Sequence, residues 1–161
     1  MTAEPEPEID FDRLWQHLTA RFSLGDWSLH GPKHWRSVER NGLELAPFSG
    51  ADTTVVRLFA VLHDAERQNE SHDPEHGQRA AALARQLHGQ FFAVSVVQLH
   101  LLCDACAGHH EGRVSLDATI GTCWDADRLD LPRVGIRPHE SRMSTAEGQR
   151  LARQRPPSWP S

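Results

Sequence analysis

The chain has 161 residues, 39% of them hydrophobic and 24% charged, and a formal net charge of −5. This length buries one sizeable core without staples, and the acidic balance argues against a nucleic-acid surface, which needs concentrated Lys and Arg. The longest apolar run, "FFAVSVV", is far short of the roughly 20 residues of a membrane span; with no basic, apolar leader and only three cysteines, a cytoplasmic protein is expected.

The first eight residues, "MTAEPEPE", read as a disordered acidic lead-in. Residues 9–152 read as one helical domain, and 153–161 as a Pro-rich tail in which Pro156, Pro157 and Pro160 forbid a helix. Asp10 caps "FDRLWQHLTARF", where Phe11, Leu14, Trp15, Leu18 and Phe22 recur at helical spacing. Pro32 opens the next helix, "KHWRSVERNGLELA", since a first turn accepts proline. Asp52 caps "TTVVRLFAVLHDAER", which is too apolar to be anything but buried. Asp73-Pro74-Glu75 signals the cap and first turn of "PEHGQRAAALARQLHG", whose alanines suit close packing. "FAVSVVQLHLLCDACAGHHEG" begins with β-branched residues, but its length favours a buried helix. A further helix lies within "SLDATIGTCWDADRLDLPRVGI", and Ser144 caps a last one, "TAEGQRLARQ". Strand runs separated by turn pairs are missing, so the expected class is all-α, a compact bundle of about six or seven helices.

Eleven histidines, dispersed rather than tandem, point to metal or proton chemistry. Three places stand out in order: His34 in "HGPKHWRSVERNG", the pair His63-Asp64 in "FAVLHDAER", and an aspartate in "WDADRLDL". A divalent ion wants neutral imidazoles and carboxylates converging from several helices. An aspartate at a helix C-terminus opposes the helix dipole unless a cation is near. Asp64 sits at such an end. Cys103-x-x-Cys106 with His109 has zinc-like spacing, but a cysteine in an apolar helix behaves as a small hydrophobe.

These motifs resemble the H…HD…D pattern of the HD-domain superfamily of metal-dependent phosphohydrolases, over Gly31 to Leu131. "HWRSV" matches its first histidine motif, "VLHDAER" its second, and "DADRLD" its closing one. The resemblance implies an all-α fold and a divalent ion (Mn, Ni, Co, Fe, Mg or Zn) held by His34, His63, Asp64 and Asp127, with His34 preferred to His30 and Asp127 to Asp125. One metal is expected, although binuclear branches of the family recruit further histidines, and His109 and His110 are available for that. Asp64, Glu66 and Arg67 are the candidate catalytic residues: Glu66 to position or deprotonate water, Arg67 to grip phosphate oxygens bidentately. Arg67, His76 and His110 are the candidate substrate-binding residues.

The implied activity is hydrolysis of a phosphomonoester or phosphodiester by a metal-activated water. The substrate is a nucleotide or another small phosphorylated metabolite, with neither nucleic acid nor membrane as partner. No Gly-x-Ser-x-Gly elbow and no Gly-rich phosphate loop competes with that reading. "HDAERQ" has Arg67 and Gln68 in place of the two acidic residues of the alarmone-hydrolase His-Asp-x-x-Glu-Asp arrangement, and a chain without tyrosine has no Gly-Tyr-Pro motif. The alternative is an HD-like nucleotide or metal sensor that does not turn over.

Overall fold

The computed structural model describes residues 7–161, so the expected lead-in falls, over residues 1–6, outside the described residues. Seven α-helices follow in order: α1 (Phe11–Arg21), α2 (Pro32–Ser49), α3 (Thr53–Leu62), α4 (His76–Leu87), α5 (Val96–Gly108), α6 (Ala118–Arg128) and α7 (Ala146–Gln154). Two 3-10 turns, Leu131–Val134 and Glu140–Arg142, join α6 to α7. An isolated bridge between His88 and Phe92 is the one β feature among the described residues, so the all-α class holds. No helix among them is long and apolar enough to cross a membrane.

The apolar sequence of α3 makes it the axis of the bundle. Val55, Val56 and every residue from Leu58 to Leu62 are buried in the core, and α2, α5 and α6 pack around them. Its one charged residue, Arg57, escapes sideways, with its guanidinium 3.7 Å from the Phe11 ring centroid. Asp52 caps the start by accepting from the Thr54 and Val55 N–H groups, and its other oxygen accepts from Gln98 Nε2 at 2.9 Å. The cap therefore also fixes α5 against α3.

Two glycines set how closely helices approach. A Cβ on Gly42 of α2 would stand 2.3 Å from Val56 Cγ1, so this glycine lets α2 close on α3. A Cβ on Gly77 of α4 would stand 2.7 Å from the Cys106 carbonyl oxygen and 2.9 Å from that of Ala107. Here α4 lies against the backbone of α5 itself, continued by buried Ala80, Ala81 and Ala84.

Some ends differ from the sequence reading. Asp73 does not cap α4, because its carboxylate accepts from Arg79 Nη2 and from the Gln68 N–H; the helix begins at His76. Thr145, not Ser144, caps α7, with its Oγ1 accepting from the Gly148 N–H, while the Ser144 hydroxyl accepts from the Ser115 N–H. Helix α5 starts only at Val96, behind a Ser95–Gln98 capping box that leaves "FAV" outside the helix. All three cysteines are buried free thiols.

Candidate metal centre

His63 ends α3 as its C-cap, and its ring turns back along the helix. Nδ1 lies 3.1 Å from the Phe59 carbonyl oxygen and 3.0 Å from that of Ala60. A carbonyl only accepts, so the ring proton sits on Nδ1 and Nε2 presents a bare lone pair. His34, in the first turn of α2, is held in the same way by a carboxylate: Nδ1 donates to Asp130 Oδ2 at 2.7 Å. The two Nε2 atoms face each other at 3.1 Å. Around them stand Asp127 Oδ1, 3.0 Å from His34 and 3.4 Å from His63, and Asp64 Oδ2, 3.5 and 3.6 Å from the same nitrogens.

The second oxygen of Asp64 meets another imidazole pair. Asp64 Oδ1 lies 3.2 Å from His76 Nε2 and 3.4 Å from His109 Nε2, and those nitrogens are 2.9 Å apart. Both rings are again anchored through Nδ1 to a carbonyl, His76 on Asp73 at 2.5 Å and His109 on Cys106 at 2.7 Å. His76 opens α4 and His109 caps the end of α5, so the backbone contact at Gly77 is what brings them together.

The arrangement fits divalent cations. Two ligands each about 2.1 Å from one ion, at roughly 90–110° to one another, stand about 3.0–3.4 Å apart. The ligand-to-ligand separations in both clusters are of that size, and in each the bare nitrogens converge where hydrogen bonding offers them no proton of their own. The first cluster supplies two nitrogens and two oxygens, the second two nitrogens and one oxygen, with Asp64 common to both. The carboxylates carry the charge such a site needs. Burial alone would raise the Asp64 pKa, but with these rings protonated in place of an ion, the His63 charge and hydrogen bonds from His109, His30 and His76 hold it well below the usual range. Asp127 is likewise held low against its burial by His34 and His63. Burial lowers the pKa of His34, but Asp127 and Asp130 outweigh it and raise it to about 8, so without an ion a proton takes the cation's place.

Both clusters open on a cavity of about 360 Å³, within the usual size range of small-ligand pockets. Arg67, Arg128, Arg133 and Arg142 line it, together with His30, His110 and the apolar Leu131 and Val134. Arg67 stands nearest the clusters, its Nε 3.8 Å from Asp64 Oδ1. His110 tilts against His76, ring centroids 4.7 Å apart; burial, then the neighbouring His109 and His76, lowers its pKa.

The four residues of the H…HD…D pattern thus converge, and Asp125 points away, accepting from the Ser144 and Thr145 N–H groups to seat α7. The structure gathers two clusters where the sequence leads to one site, joined by Asp64 and by a His63, His109 and Asp127 grouping that overlaps both. His76 stands in the second of them beside His109, and both line the cavity together with His110. Glu66 does not line the cavity: its carboxylate pairs with Arg21 at 2.8 Å. His72 is exposed and also outside it. Asp130, the anchor of His34, went unassigned in the sequence although its spacing of three from Asp127 places both on one helical side.

No family model matches the chain, and no curated protein matches it either. Among solved structures it is similar to a predicted HD superfamily hydrolase from an uncultured Thermotogales bacterium, with a TM-score of 0.72 and 23% sequence identity. The match covers 89% of this chain and 83% of that one. The chain has the fold of that HD superfamily protein.

Proposed function

We propose that the chain, on its HD-superfamily fold, is a divalent-metal-dependent phosphohydrolase that cleaves a small phosphorylated metabolite or nucleotide. One observation carries the reading: two pairs of bare imidazole nitrogens flank the two oxygens of one buried aspartate, at the wall of a cavity lined by four arginines. His34, His63, Asp64 and Asp127 would hold one ion, and Asp64, His76 and His109 a second. Such ions supply Lewis acidity at a phosphate oxygen and make water a nucleophile near neutral pH.

The side chains do the rest. Asp64 fixes the two halves of the centre relative to each other through a single carboxylate. Arg67, whose Nη1 is fastened to the Asn69 and Ser71 carbonyls, presents its guanidinium beside Asp64, where it orients the phosphate. His110 borders the same space with a polar ring edge. Glu66 has a framing role, tying α1 to the turn after α3 through Arg21.

Elemental analysis of the purified protein, coupled to a phosphoester panel with added Mn, Ni, Co or Mg, tests this. Turnover that tracks metal content is expected. Bound metal with no turnover on any ester would replace the hydrolase by a metal or nucleotide sensor.

A further inference from the structure

Two guanidinium groups in the cavity wall, those of Arg128 and Arg142, make no ion pair, although the charges of Asp127 and Asp125 reach Arg128 through space. Arg128 is only 6% exposed; its Nη1 donates to the Arg142 carbonyl at 2.7 Å, while its Nη2 is buried without a hydrogen-bond partner. Arg142 in turn donates from Nη1 to the Gly112 carbonyl at 3.0 Å. Gly112 has a φ of +73°, and a Cβ there would stand 3.0 Å from Arg142 Nη1, so the loop after His110 is shaped to admit this guanidinium. Acidic groups on the same elements are engaged elsewhere: Asp125 with Ser144 and Thr145, Glu140 with Arg153 at 2.7 Å. A buried guanidinium with an idle donor, next to a second cation, is stabilised by an anion that bridges the two.

The remaining arginines of the cavity stand elsewhere. Arg67 is beside Asp64, and Arg133 is spent on the Leu29 and Asp130 carbonyls and on His30 Nδ1 at 3.4 Å. Arg128 and Arg142 make none of these contacts. We propose that they form a subsite for a second phosphate group, so that the substrate carries at least two phosphates. One lies at the metal clusters and Arg67, the other between Arg128 and Arg142. This rests on the phosphohydrolase reading for the first position only.

Calorimetric titration of the full chain, with its purified metal content, tests the subsite using methylphosphonate and methylenediphosphonate as probes. The bisphosphonate is expected to bind the wild type about tenfold more tightly, the size of one charged bidentate contact. Arg142→Gln, at an exposed position whose loss leaves the core intact, should cut that preference below about threefold. Arg128→Lys, which keeps the charge and loses the fork, should do the same. Equal affinity of the wild type for both probes, or a preference that survives Arg142→Gln, overturns the subsite. A silent phosphoester panel with an arginine-dependent preference would remove the hydrolase and keep the subsite. Turnover without any preference would do the reverse.

Discussion

The two halves of the centre use the same part, a histidine pinned through Nδ1 with its Nε2 bare, and secure it differently. In the His34–His63 half one ring is held by a carboxylate, Asp130, and a second carboxylate, Asp127, joins the bare nitrogens. In the His76–His109 half both rings are held by backbone carbonyls alone, and Asp64 is the one acidic ligand. A carboxylate behind an imidazole raises its basicity and fixes its tautomer more firmly than a carbonyl does. The first half should therefore be the tighter site, and the second the one that empties first under chelation.

The largest effect should come from the residue the halves share. Asp64→Asn removes charge from both at once, and metal content by elemental analysis should fall close to zero while phosphoester turnover drops by about a thousandfold or more, several kcal/mol of lost charge stabilisation. Retention of one full equivalent would show that the halves do not depend on a common carboxylate. Next, Asp127→Asn and His109→Ala should each strip one half and spare the other, leaving about one ion per chain. If either variant loses both ions, the comparison between independent halves fails. Asp130→Ala should be milder and selective, weakening the first site about 10–100-fold in a competition titration with a chelator and leaving the second unchanged.

The smallest effect is a pH dependence confined to the first half. In the metal-free chain the His34 pKa is raised to about 8 from 6.5, so its interactions with Asp127 and Asp130 stabilise the fold fully below 6.5 and are lost as pH rises through about 8. Metal binding runs the other way, because the ion must displace that proton. Affinity at the first site should therefore fall about tenfold per pH unit below 8. Metal titrations between pH 6 and 9 on His109→Ala, which retains only that site, read it directly; a flat profile would show that His34 holds no proton there.

What the sequence showed follows the same division. The first half was legible through three short motifs in order, whose resemblance to the H…HD…D pattern joins residues as far apart as His34 and Asp127. The helices themselves were legible from apolar spacing, whereas the starts of α4 and α7 were not, because Asp73 and Ser144 found partners outside the helices they seemed to cap. The second half was not legible as a unit: His76 and His109 were singled out separately, lie outside the three ordered motifs, and meet only through the packing of α4 on α5. The choice between His109 and His110 was open for a geometric reason: adjacent residues at a helix end point about 100° apart, and only the fold decides which one faces inward. Arg128 and Arg142 were invisible as a pair, since a 3-10 turn with no periodic pattern carries the second of them.

The close approach at Gly77 has a consequence for the ancestry of such a site. None of its own atoms touches an ion, yet its missing side chain decides whether α4 lies near enough to α5 for His76 to find His109. One methyl group at that position would wedge the helices apart and leave His34, His63 and Asp127 where they are. On the proposed metal reading, a one-ion and a two-ion centre would be a single codon change apart on this scaffold, and the change falls on a residue that no search for ligands would inspect.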